Sequence, residues 1–116
     1  MKKRILFVED NEKLLELYAI MAGRIDMNAV GTFIANGQEA LDRVLAAPDS
    51  FDLIVTDNTL PGLNGLELSK KIKSLHPTIP IIMVSADEIP QNERTHLKSF
   101  LQKPVAFKIL REAILS

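Results

Sequence analysis

The sequence predicts an α/β fold, a five-stranded parallel sheet with helices on both faces. Three observations predict it. Short runs that are apolar nearly throughout, such as residues 5–8, 51–56 and 81–84, recur along the chain, as expected of strands covered on both sides. Stretches with apolar residues at helical spacing alternate with them. Turn-forming or charged residues punctuate each change.

The elements follow in order. Residues 4–8 read as a buried strand, broken by Glu9, Asp10 and Asn11. Leu14, Leu15, Leu17, Tyr18 and Met21 then recur at helical spacing, with Gly23 as the stop. Residues 28–33 are a second strand. Asn36 precedes a helix through Ala40, Leu41, Val44 and Leu45 that ends near Pro48. FDLIVT, residues 51–56, is the central strand and carries Asp57 at its C-terminal end. NTLPGLNG is turn-rich, with Pro61 fixing φ and Gly62 and Gly65 supplying freedom. A helix through Leu66, Leu68, Ile72 and Leu75 ends at His76, Pro77 and Pro80. Residues 81–84 form the fourth strand. Residues 93–98 read as a short fourth helix starting near Pro90, and residues 100–102 as a short fifth strand. Lys103 and Pro104 mark a sharp break before a closing helix over residues 107–114. The crossovers should be right-handed.

Bulk properties narrow the function. With 116 residues, 47% hydrophobic and 25% charged, residues 1–116 read as one ordinary folded domain. The net charge of −1 offers no positive field for nucleic acid or an anionic membrane surface. One Tyr and five Phe leave little surface for base stacking. Without cysteine, disulfides, thiolate metal sites and cysteine nucleophiles are excluded, which fits a cytoplasmic protein. The basic start, MKKR, is followed by too short an apolar run for a signal peptide or a membrane span.

Open parallel sheets place their sites beyond the C-terminal ends of the strands. Glu9 and Asp10 follow the first strand, Asp57 the third, Ser85 the fourth and Lys103 the fifth, so all five point to one rim if those strands are neighbours. Carboxylates forced together repel, and a hard divalent cation relieves that repulsion. Oxygen-only donors suit Mg²⁺, with Mn²⁺ as a substitute, and the lack of His or Cys argues against zinc. Such a cation is also what phosphoryl transfer needs. Asp57 can act as an oxygen nucleophile and form an acyl phosphate. Lys103 supplies a second positive charge, Ser85 a hydroxyl donor, and the backbone around Asn58, Thr59 and Ala86 further N–H groups. The Thr59 backbone carbonyl is a further candidate metal ligand, since its loop turns back over the site. Taken singly, each of these residues has a plainer reading: Asp57 as a turn or cap, Asp10 or Asn11 as the cap of the first helix, Lys103 and Ser85 as surface and turn residues. Their occurrence together at successive strand ends favours the site.

The segments ILFVED, DLIVTDNTLPGLNG, IIMVSA and FLQKP, in this order, resemble the response-regulator receiver domain of two-component phosphorelays over essentially the whole chain. The resemblance implies a flavodoxin-like (βα)5 fold with strand order 2-1-3-4-5. It implies Asp57 as phosphoacceptor, Asp10 as a direct and Glu9 as a water-mediated Mg²⁺ ligand, and Lys103 paired with the phosphoryl group. Ser85 would move toward that group, Phe100 would be the aromatic switch, and the Lys103–Pro104 bond would be cis. Thr59 and Asp87 stand where the family tunes loss of the phosphoryl group. A histidine kinase or histidine phosphotransfer protein would be the donor, and the domain would assist its own phosphorylation and dephosphorylation without being a dedicated enzyme. Output would pass through the surface of the fourth helix, fifth strand and closing helix to a downstream protein or effector domain, with dimerisation there a further possibility. No direct nucleic-acid contact and no membrane insertion are implied.

Two features depart from the family. Ser85 and Lys103 are closer in sequence than usual by about four residues, about one helical turn, and Lys98 and Ser99 stand where Gly and Ala are common. The shortening falls in the fourth helix or its loops, which in the family belong to the usual output and dimer surface. Phe100, as an aromatic in a short apolar strand, also reads as plain core. His76 and His96 read as caps or solvated surface, not phosphohistidines. The chain leaves no room for an effector, so it is a stand-alone receiver or a piece of a longer regulator or hybrid kinase. Its end just after the closing helix leans toward a piece. The competing readings are a phosphorylation-independent interaction module on the same fold, a small Mg²⁺-dependent phosphatase and a flavin carrier. The phosphatase lacks a general acid near Asp57 and a cap domain, and Glu9 and Asp10 would repel a flavin phosphate.

Overall fold

The computed structural model describes residues 2–24 and 26–116. Five strands form one parallel sheet in the order β2-β1-β3-β4-β5, as the resemblance implied. They are β1 (Lys3–Val8), β2 (Ala29–Ile34), β3 (Leu53–Thr56), β4 (Ile81–Ser85) and β5 (Ser99–Gln102). Four α-helices flank it: α1 (Glu12–Ala22), α2 (Gly37–Ala46), α3 (Gly65–Leu75) and α4 (Phe107–Leu115). The sheet's alternating side chains build a core on each face. Ile5, Phe7, Leu53, Val55, Ile82 and Val84 meet Tyr18 and Met21 of α1 and Leu110 and Ile114 of α4. Leu6, Val8, Ile54 and Ile81 meet Ala40, Leu41 and Val44 of α2 and Leu68 and Ile72 of α3.

Asparagine starts three of the helices. Asn11, Asn36 and Asn64 stand at the N-caps of α1, α2 and α3, and each side chain accepts from a backbone N–H inside the first turn. This satisfies a donor that the helix leaves unpaired. Asn11 takes the cap of α1, which leaves the Asp10 carboxylate free for the rim.

The expected short helix over residues 93–98 does not form. The described chain has only a 3₁₀ turn at Gln91–Glu93, entered from Pro90 without a side-chain cap. The cause is the pattern: residues 86–98 offer only Ile89 and Leu97 as large apolar side chains, too few for the apolar stripe that holds a helix on a sheet. Leu97 still packs against the α2/α3 core. The β4 strand is buried throughout, whereas β5 at the sheet edge is only half-buried. Among the described residues no helix is long and apolar enough to cross a membrane.

Candidate functional site

Register builds the site. Val8 lies opposite Thr56, and Ser85 opposite Gln102. The ladder runs one residue further: the Asp57 N–H donates to Val8 O at 2.9 Å, and the Lys103 N–H to Ser85 O at 2.8 Å. Glu9 and Asp57 thus leave adjacent strands side by side, and Lys103 leaves β5 across β4 from them. Carboxylate oxygens of Glu9, Asp10 and Asp57 lie within 4.8 Å of one another. Lys103 Nζ donates to Glu9 Oε1 at 2.7 Å and to Asp57 Oδ2 at 3.3 Å. The Asn11 N–H holds Glu9 Oε2 at 3.2 Å, and the Asn58 N–H holds Asp57 Oδ1 at 2.8 Å.

The electrostatics are those of a site short of positive charge. Glu9 is 1% exposed and Asp57 8%. Burial, aided by the Asp57 charge, pushes the Glu9 carboxyl above its ordinary value even though Lys103 pulls it down. Burial lowers the Lys103 ammonium, but Glu9 and Asp57 outweigh it and leave that group raised. Beneath lies Tyr18, stacked on Phe7 at 5.2 Å between ring centroids. Burial and then the Glu9 and Asp57 charges raise its phenol, so it contributes no proton near neutrality.

The other predicted residues fall around this centre. Ser85 is fully buried, and its Oγ accepts from the Asp87 N–H at 3.0 Å. Asp87 Oδ2 accepts from Asn58 Nδ2 at 3.1 Å and Thr59 Oγ1 at 2.8 Å. The Thr59 hydroxyl, then the Asn58 amide, hold the Asp87 carboxyl below the usual carboxylate range. Ala86 is exposed, and its C=O accepts from Gln102 Nε2 at 3.3 Å. The Lys103–Pro104 peptide is cis. Phe100 does not join the carboxylates. It is half-buried, with the Arg94 guanidinium 4.4 Å above its ring centroid, and it lines a ≈ 370 Å³ groove with Ile89 and Pro90. An apolar groove of ≈ 390 Å³, lined by Leu14, Tyr18, Pro104, Val105 and Phe107, opens beside Lys103.

Sequence reasoning missed the side chain of Asn58. Its Oδ1 accepts the Leu66 N–H at 2.9 Å while its Nδ2 binds Asp87. The only signal was an Asn in a turn-rich stretch, a residue that readily caps nearby backbone. His96 was read as a cap or surface residue. It is half-buried instead, with Nε2 2.7 Å from Ser69 Oγ on α3. Burial, then Lys70 and Lys73, depress its imidazole. His76 does serve as the C-cap of α3.

Residues 5–115 match the family described as the response regulator receiver domain. The chain belongs to that family, the receiver domains of two-component phosphorelay systems. It is 34% identical over 117 residues to the response regulator protein PilR of Pseudomonas aeruginosa, covering 97% of this chain and 25% of PilR. It is 30% identical over 112 residues to the two-component response regulator ORR41 of Oryza sativa subsp. japonica, covering 89% of this chain and 84% of that one. The chain thus spans a quarter of PilR but most of ORR41. A CheY-like receiver domain of Methanospirillum hungatei JF-1 superposes with a TM-score of 0.85 at 25% identity, covering 99% of this chain and 92% of that one. In this receiver domain the Glu and Asp cluster forms a candidate Mg²⁺-binding phosphoacceptor site of the kind typical of phosphorylation switches. The residues fit the ion: the donors are hard oxygens, their charges are under-compensated, and among the described residues the one cation bonded to them is the Lys103 ammonium.

Proposed function

We propose that this receiver domain, residues 1–116, is a phosphorylation-controlled signalling switch in which Asp57 accepts a phosphoryl group from the phosphohistidine of a histidine kinase or phosphotransfer protein. One observation carries the reading. Asp57 ends the central strand with its carboxylate within 4.8 Å of two others and 3.3 Å from a lysine. An Asp57 oxygen bonds to phosphorus as the P–N bond breaks, and the imidazole nitrogen leaves with the electron pair. Glu9, Asp10 and Asp57, with the Thr59 backbone carbonyl, would hold Mg²⁺. Bound there, the ion would neutralise charge on the transferring oxygens.

The chain's own groups do the rest. The Asn58 N–H orients the Asp57 carboxylate. Lys103 moves from Glu9 to the phosphoryl oxygens, and the buried Ser85 hydroxyl, whose Oγ already accepts from Asp87 N–H, has its proton free to donate to them. Thr59 and Asp87 flank the path of attacking water and set how fast the acyl phosphate is lost. The groove beside Lys103 offers a protein donor apolar surface next to the carboxylates. On this reading the domain works in the cytoplasm, where a histidine kinase draws on ATP. It assists its own phosphorylation and dephosphorylation, and it signals to a downstream protein or effector domain.

The test is intact-mass analysis after incubation with a small acyl phosphate or phosphoramidate, for wild type and Asp57→Asn, with Mg²⁺ and with EDTA. The expected result is one added phosphoryl group, in wild type with Mg²⁺ alone. No adduct, together with no binding of beryllofluoride, would sink the reading and leave a phosphorylation-independent interaction module.

A further inference from the structure

Residues 86–98, which join β4 to β5 without an α-helix, are fastened at two points, one to the loop between β3 and α3 and one to the first turns of α3. At one, Asp87 Oδ2 accepts from Asn58 Nδ2. At the other, His96 Nε2 meets Ser69 Oγ. Both points lead to Leu66. Asn58 Oδ1 accepts the Leu66 N–H at 2.9 Å, and the Ser69 hydroxyl donates to Leu66 O at 2.8 Å. These partners fix the amide of Asn58: its oxygen faces an N–H and its NH₂ faces a carboxylate. They also assign the proton of the His96 contact to Nε2, since the Ser69 proton is already engaged.

The backbone of the same Asn58 belongs to the carboxylate site. Its N–H donates to Asp57 Oδ1 at 2.8 Å, and its C=O accepts the Gly65 N–H at 2.7 Å. There is no slack at this junction. A Cβ on Gly65 would lie 1.9 Å from Asp57 O and 2.8 Å from Asn58 Cα. A close-packed contact of this kind passes a displacement on instead of absorbing it.

We propose that Asn58 is a positioning residue that carries a change at the Asp57 carboxylate into α3 and, through Leu66 and Ser69, to His96 in residues 86–98. The responding surface then includes the α3 face and the segment lying on it. The proposal rests on the reading of Asp57 as the phosphoacceptor. It deepens that reading by naming the route out of the site, which the missing helix leaves open.

The experiment is NMR of the full chain, titrated with beryllofluoride and Mg²⁺ as a phosphoryl mimic, following the Leu66 amide and the His96 imidazole while ¹⁹F signals report bound mimic. In wild type both probes should shift. In Asn58→Ala, which keeps the backbone N–H that meets Asp57, both responses per bound mimic should fall to less than about a third of wild type. In Ser69→Ala, a conservative change at a buried site, Leu66 should respond as in wild type and His96 should not. A full His96 response in either variant overturns the route, and so does a wild-type chain that binds the mimic with both probes unmoved. Absence of bound fluoride in wild type overturns the phosphoacceptor reading itself.

Discussion

The two ends of the sheet treat charge in opposite ways. At the N-terminal end, Arg4 of β1 grips Asp52 just before β3, with Nε at 3.1 Å from Oδ2 and a terminal nitrogen at 3.0 Å from Oδ1. The Arg4 backbone N–H adds a third bond at 2.8 Å. The side chains are 46% and 41% exposed, and the Arg4 guanidinium, then its backbone N–H, hold Asp52 below the usual carboxylate range. At the C-terminal end three carboxylates face one ammonium, two of them buried, and the Glu9 carboxyl is pushed up. The first end matches its charges in water. The second gathers more negative charge than it neutralises and shuts much of it away from solvent. Such a cluster gains little for folding, because desolvation offsets the attraction. It is the arrangement expected of a site that binds a cation and does chemistry.

The largest effect that would break this contrast is steric. Gly65→Ala places a methyl against the Asp57 carbonyl and should cost about 3 kcal/mol in denaturant unfolding. An unchanged midpoint would mean that α3 is not packed against the site. Next is Lys103→Ala, which leaves the Glu9 and Asp57 carboxylates without their ammonium. A loss of about 1–3 kcal/mol is expected in EDTA, below the range for fully buried pairs because the lysine side chain is 23% exposed. Added Mg²⁺ should recover part of it. Equal losses with and without Mg²⁺ would show that packing, not charge, is responsible.

A smaller effect should follow pH. Glu9 has a folded-state pKa above its unfolded value, so its contribution to stability is full below about pH 4.3 and is lost as pH rises through the folded value. In EDTA, the stability of wild type relative to Glu9→Gln should therefore fall from acid toward neutral pH. Parallel curves would refute the strained carboxylate. The smallest effect belongs to the other end. Asp52 is depressed, so its contribution is present above about pH 3.9 and is lost as pH falls through the folded value. Asp52→Asn should lower the thermal midpoint slightly at pH 7 and low salt, and less at high salt. A difference that survives salt and acid would mean the pair acts through packing.

What was legible in the sequence depended on range. The strands were legible because a run such as LIVT is apolar on both faces wherever it lies, and the helix starts because Asn11, Asn36 and Asn64 act on their own first turns. The helix expected over residues 93–98 failed for want of an apolar stripe, a shortage that the local pattern itself carries. That segment has helix-compatible residues but too few apolar ones to hold it on the sheet. Asn58 and His96 were illegible for a different reason. Each takes its meaning from a residue on another element, Asp87 and Ser69, and nothing in either neighbourhood names that partner.

By itself the sequence determined the alternation of strands and helices, the family, and which side chains stand at the strand ends. These follow from periodicity and from chemistry carried within a few residues. Tertiary structure decided the rest. Strand register set Glu9 beside Asp57 and brought Lys103 within 2.7 Å of Glu9, 94 positions away in the chain. Burial of Glu9 and Asp57 then turned three ordinary carboxylates into a charge-crowded site. Distance and desolvation are properties of the folded chain, and it is these that separate a reactive aspartate from one that merely ends a strand.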